Sequence, residues 1–226
     1  MKKVIITGTS RGIGFELAQQ FAKNNFKVLA ISRNEKTLKE LNLKNVTTLA
    51  VDICKVQNLQ KVKNFLNNKW KEVDILIHNA GFLINKPFES LTKDDFLKIY
   101  NVNVFGVAEL TQVCIPFLKK GSHVVTISSM GGIQGSLKFP GLAAYSSSKG
   151  AVITLSELLA EEYKSQEISF NVLALGAVQT EMLVEAFPDY FASLKANEMA
   201  DYIYNFAISA NKFFNGKVIQ VSNTTP

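Results

Sequence analysis

Only two of the 226 residues are cysteine, two are histidine and one is tryptophan. Cys54 and Cys114 have neither metal-ligand nor redox spacing, and each stands among apolar neighbours, so both read as small buried thiols and no metal site is expected. His78 and His123 flank predicted strands without companions and read as core or strand-end residues. Arginine is almost as scarce: of 25 basic residues only Arg11 and Arg33 are arginines, and the other 23 are lysines. The lysines are spread along the chain with no basic block and no interleaved aromatic stripe, so the net charge of +6 reads as a solvated surface, and nucleic acid is not an expected partner. No apolar run approaches the roughly 18 residues a membrane span needs. The start, Met-Lys-Lys-Val-Ile-Ile, enters a strand directly and lacks the pattern of a signal sequence. A soluble, cytoplasmic protein without membrane association is the expectation, with residues 1–226 forming one domain.

Against these absences, 47% of the residues are hydrophobic, and short β-rich runs alternate with helical patterns. Strands are expected at 4–6, 28–31, 46–51, 75–78, 123–128, 169–174 and 217–221. Such alternation predicts an α/β, doubly wound fold with a parallel sheet of about seven strands and helices on both faces. Lys27-Val-Leu-Ala-Ile31 and Asp74-Ile-Leu-Ile-His78 are nearly continuous apolar strings, as strands covered on both faces should be. Phe15, Ala18, Phe21 and Ala22 mark a buried helical stripe. Thr92-Lys-Asp-Asp95 resembles a capped start to a long helical segment ending near Lys119, which Pro116 kinks or closes.

In such a sheet ligands bind beyond the carboxyl ends of the strands. The first strand exits into Thr7-Gly-Thr-Ser-Arg-Gly-Ile-Gly14, a glycine-rich turn that opens a helix. Its glycines permit a sharp turn and close approach of the backbone to a pyrophosphate, whose charge the helix start favours. The spacing of Gly8, Gly12 and Gly14 leaves a longer loop than GxGxxG. The other exits carry Ser32-Arg33, Asp52-Ile53, Asn79-Ala80-Gly81, Ser128-Ser129 and Gly176 to Thr180. Tyr145 and Lys149 are four apart on a predicted helix and so share a face, behind the Ser128-Ser129 exit.

Through these ordered motifs the chain resembles, over nearly its whole length, the short-chain dehydrogenase/reductases of the Rossmann type. The resemblance implies cofactor contacts from Gly8, Ser10, Arg11, Gly12, Ile13 and Gly14, from Asn79, Ala80 and Gly81, and from Gly176, Val178 and Thr180. Asp52 with the Ile53 backbone would meet the adenine. Asn103, Ser129, Tyr145 and Lys149 match the family's catalytic group. Tyr145 would act as general acid or base, Ser129 would orient the substrate oxygen, and Lys149 would lower the tyrosine's pKa and hold the nicotinamide ribose. Asn103 would hold a water in a proton relay. The interval from Ser129 to Tyr145 is a few residues longer than the family pattern, which leaves Ser128 open as an alternative. Leu175 stands where the family usually carries proline.

Cofactor choice turns on the end of the second strand, where an acid would bind ribose hydroxyls and repel a 2′-phosphate. Here Ser32 and Arg33 stand there, and Arg11 precedes Gly12, so NADP(H) is expected on an arginine clamp. The segment 181–197, where relatives carry a substrate lid, is short, and Phe139, Met182, Leu183 and Phe187 are expected to line a small or open apolar pocket. The implied activity is reduction of a small or moderately apolar ketone or aldehyde. The alternative is a non-catalytic NADP-binding sensor or scaffold. Assembly into a homodimer or homotetramer through the segments 92–119 and 144–166 is also implied.

Overall fold

The computed structural model describes residues 1–223; the last three residues of the tail, Thr224 to Pro226, lie outside the described residues. Seven strands form one sheet: β1 (Lys3–Thr7), β2 (Lys27–Ser32), β3 (Val46–Ala50), β4 (Val73–His78), β5 (Leu118–Ser129), β6 (Ser169–Leu175) and β7 (Val218–Val221). Their order is β3-β2-β1-β4-β5-β6-β7, and every pairing is parallel. The order reverses between β1 and β4, which opens the crevice where a doubly wound sheet takes its ligand.

Alternate strand residues serve the two faces. Val4, Ile6, Val28, Ala30, Ile75 and Ile77 join the core beneath α1 (Gly12–Lys23) and α8 (Ala196–Ser209). Ile5, Leu29, Ile31, Leu76 and Val124 join the opposite core, beneath α3 (Val56–Phe65) and α5 (Gly106–Cys114). The remaining helices are α2 (Lys36–Glu40), α4 (Lys93–Tyr100), α6 (Ala143–Glu162) and α7 (Glu181–Ala186). Within α1 the buried stripe is Gly14, Leu17, Ala18 and Phe21. Phe21 meets Phe26 and Tyr204 edge-on at 4.9 and 4.8 Å between ring centroids, an arrangement aromatic quadrupoles favour.

The expected long helix from Thr92 to Lys119 is broken into parts. Its start is capped as expected, with Asp95 N donating to Thr92 Oγ1 and Thr92 N donating to Asp95 Oδ2. After α4 the chain widens into a π-helical turn, Asn101–Phe105, before α5. The helix then ends through a tight turn, Ile115–Phe117, at Pro116. Lys119 therefore lies in β5, which starts at Leu118, five residues earlier than expected. Proline removes the backbone donor that α5 needs to continue, and the strand takes over at once.

Candidate active site

The glycine turn carries the geometry its composition requires. Gly8 and Gly12 have φ of +73° and +58°, where a side chain is strained. A methyl group on Gly14 would sit 2.3 Å from Gly8 O and 2.4 Å from Asn79 Nδ2, so this position admits glycine alone. Asn79 braces the turn: its Nδ2 donates to Thr7 O and Gly8 O at 3.0 and 3.3 Å. Thr7 Oγ1 accepts from Asn79 N and Ala80 N at 3.0 Å each. Thr7 was not among the residues singled out from the sequence, although it opens the quoted motif. Its hydroxyl ties the ends of β1 and β4 together across the crevice.

Ser128 and Ser129 part company at the end of β5. Ser128 is buried and its Oγ donates to Lys149 O at 2.9 Å, which pins α6 to the strand. Ser129 stands at the Tyr145 hydroxyl, and its interaction with that group draws the tyrosine pKa down. Its Oγ accepts from Gly131 N at 3.2 Å. The longer interval before Tyr145 therefore leaves Ser129 as the serine at the tyrosine. Lys149 is 4% exposed, with Nζ 5.8 Å from the Tyr145 ring centre and donating to Ile127 O at 2.8 Å.

Electrostatics depart from the expectation. Burial pushes the Tyr145 hydroxyl up to about 12, only partly opposed by Ser129, and burial draws Lys149 down to about 8. Desolvation disfavours the charged form of each. The Asn103 side chain is held by protein partners. Its Oδ1 accepts from Phe82 N at 2.8 Å, while Nδ2 donates to Phe82 O and Ser148 Oγ. It sits in the π-helical turn, a local widening that proteins often place at functional sites, and it joins the loop after β4 to α6.

A methyl group on Gly81 would lie 3.7 Å from both Asn103 Oδ1 and Lys149 Nζ, and 4.0 Å from Met182 Cε. The space before Gly81 is thus walled by the catalytic candidates and by α7, and it is a cradle that any larger residue would begin to fill. The glycine turn and this cradle both suit a dinucleotide.

Other expected contacts are less direct. Ser32 is buried and its Oγ donates to Asn34 O at 2.7 Å. Asp52 Oδ1 accepts from Cys54 N at 3.1 Å, and the Ile53 side chain packs on Gly106, leaving its backbone for a ligand. Val178 is buried in the core, so only its backbone is available. A methyl group on Gly176 would meet Ser222 Oγ at 2.4 Å. Thr180 Oγ1 caps α7 by accepting from Leu183 N. Ser10 and Ile13 are partly exposed in the turn.

The two arginines have different surroundings. Arg11 makes a two-pronged ion pair with Glu185 of α7, through Nη1 to Oε1 and through Nη2 to Oε2 at 2.8 Å. Arg33 is exposed at the end of β2, close enough to Cys54 to act on its thiol. Phe139, expected beside Met182, instead lines a hollow of about 670 Å³ with Ile133, Leu142, Ser146 and Gly150. Among the described residues no group of acidic, histidine or cysteine side chains is placed to hold a metal ion, and no helix is long and apolar enough to cross a membrane.

The family model for short chain dehydrogenases matches residues 2–190. The chain belongs to the short-chain dehydrogenase family. A relative in Botryotinia fuckeliana, "Oxidoreductase BOA17", is 35% identical over 183 residues, covering 78% of this chain and 65% of that protein. The chain therefore spans slightly less than two thirds of that relative's length. Among solved structures, a 3-ketoacyl-(acyl-carrier-protein) reductase from Brucella melitensis complexed with NADH superimposes with a TM-score of 0.87 at 26% identity, covering 97% of this chain and 96% of its own. "ElxO with NADP Bound" gives 0.84 at 27% identity, over 97% and 96% of the two chains. Structural neighbours of this family member carry NADH or NADP, and the glycine turn and the cradle before Gly81 suit such a nicotinamide cofactor.

Proposed function

We propose that residues 1–226 form one NADPH-dependent carbonyl reductase unit acting on a small or moderately apolar ketone or aldehyde. The observation that carries this reading is the Ser129–Tyr145 hydroxyl pair beside buried Lys149, at the strand ends that face the glycine turn. The bound nicotinamide supplies the hydride. Tyr145 donates its proton to the substrate oxygen as negative charge develops there, and a hydroxyl held near 12 is present as O–H at neutral pH. Ser129 orients that oxygen with a second hydrogen bond. Lys149, poised near 8, holds ribose hydroxyls and offers a cation beside the phenol when charged. Asn103 keeps Phe82 and Ser148 in register so that the lysine's pocket stays closed.

NADPH rather than NADH is supported by the absence of an acid at the end of β2, where Ser32 and Arg33 stand. Arg33 offers the first contact to a 2′-phosphate, and Arg11 the second once it leaves Glu185. The proposed setting is cytoplasmic, in a homodimer or homotetramer. Titration by nucleotide fluorescence is expected to give NADPH a Kd at least tenfold below that of NADH, narrowing in Arg33→Ala. Equal affinity for the two cofactors would overturn the choice.

A further inference from the structure

One contact at the glycine turn comes from α7, within the segment expected to carry a substrate lid, and not from the strands. Helix α7 carries Glu181 and Glu185 four residues apart, a like-charged spacing that weakens a helix when no cation stands between. Arg11 supplies the cation. It is bound in two-pronged fashion by Glu185, and both carboxylates raise its pKa. Glu181 Oε2 lies 3.4 Å from where a methyl group on Gly12 would sit. One lid face thus lays two carboxylates against the N-terminal turn of α1, where backbone N–H groups favour an anion. The far end of α7 is tied across the crevice, with Asn85 Nδ2 donating to Ala186 O at 2.9 Å.

We propose that Glu185 is a cofactor-responsive latch: in the unliganded protein it holds Arg11 and the lid helix against the glycine turn, and the phosphates of the dinucleotide exchange it. This rests on the reading of the glycine turn as a dinucleotide site. The arriving phosphates compete for Arg11 and repel both glutamates, so the lid helix leaves the turn as the cofactor seats. Entry of the cofactor and rearrangement of the lid become one event. Both partners are about half exposed, so the latch is a weak one, and its release is worth a factor of about three to five.

The test uses the full chain. Without cofactor, hydrogen exchange across residues 181–187 is expected to rise about threefold to fivefold in Glu185→Gln and by at least as much in Arg11→Gln, where two glutamates face each other uncompensated. Glu185→Gln is also expected to tighten cofactor binding by a similar factor, a gain that structural damage does not produce. Tightening of NADPH alone assigns the competitor as the 2′-phosphate, and tightening of NADH as well assigns it as the pyrophosphate. Unchanged lid exchange in both variants, or weaker cofactor binding in Glu185→Gln, overturns the latch. A wild-type protein that binds neither cofactor overturns the dinucleotide reading and the latch's ligand with it, while equal binding of the two cofactors refutes only the NADPH choice.

Discussion

Acidification from pH 8 to pH 5 should cost this protein several kcal/mol of stability through two buried histidines. His78 Nε2 lies 2.8 Å from Thr111 Oγ1. That hydroxyl spends its only proton on Val107 O, so it accepts, and His78 carries its proton on Nε2. The other nitrogen, Nδ1, is buried without a partner. Protonation would place an unpartnered N–H and a charge in the core, and burial lowers His78 to about 3. His123 is constrained differently. Asn171 Oδ1 accepts from Lys217 N, which orients the amide so that its Nδ2 donates to His123 Nε2 at 2.9 Å. Nδ1 then donates to Ala207 O, no lone pair remains for a proton, and His123 falls to about 4, chiefly through burial.

Both values are depressed in the folded state, so below pH 6.5 the unfolded chain binds protons that the folded chain refuses. Stability is therefore complete above about pH 6.5 and falls as the pH drops, levelling only near the folded values. At pH 5 an unfolded histidine gains about 1.5 units of proton-binding free energy, or about 2 kcal/mol, and the pair about 4 kcal/mol. That is a large share of the roughly 5–15 kcal/mol typical of a domain. Urea unfolding at pH 8 and pH 5 measures it, and His78→Asn should remove about half of the difference. A stability change under about 1 kcal/mol over this range, or a pH dependence untouched by His78→Asn, would refute the assigned tautomers and the burial argument.

Two further substitutions follow from the site. Gly14→Ala drives a methyl group to 2.3 Å from the backbone oxygen of Gly8, so the turn must shift; cofactor affinity should fall by at least tenfold, read by fluorescence titration. The two serines separate by measurement: Ser129→Ala should lower kcat by about 10²-fold with little loss of stability, whereas Ser128→Ala removes the bond to Lys149 O and should lower the melting temperature, at about 1 kcal/mol.

The sheet was legible because parallel strands buried on both faces leave continuous apolar strings, such as 27–31 and 74–78, and because glycine spacing declares a tight turn. Order along the chain brought Ser129, Tyr145 and Lys149 to one rim, where the structure joins them. What escaped the sequence was side-chain partnership over long separations. Arg11 was read as free for a phosphate, yet it is matched by Glu185, 174 residues away, and nothing in the local spacing around either residue announces the pair. The Asn103 side-chain amide likewise bonds Phe82 and Ser148, partners that its local spacing does not announce. The π-helical turn that aims it inward has no pattern distinguishable from a plain helix. The start of β5 at Leu118 was masked because Leu118-Lys119-Lys120 lacks alternation, and the strand there is determined by pairing with Val73.

The central claim is that Tyr145 gives the proton to a substrate oxygen in a reductase. It is tested most directly by the rate of NADPH oxidation at 340 nm over a panel of small ketones and aldehydes, compared between wild-type protein and Tyr145→Phe. The account predicts turnover by the wild type and a loss of at least about 10²-fold in kcat for Tyr145→Phe, with cofactor affinity unchanged within about twofold. Tight cofactor binding with no turnover of any carbonyl, or a Tyr145→Phe protein that keeps more than about a tenth of the wild-type rate, would contradict it.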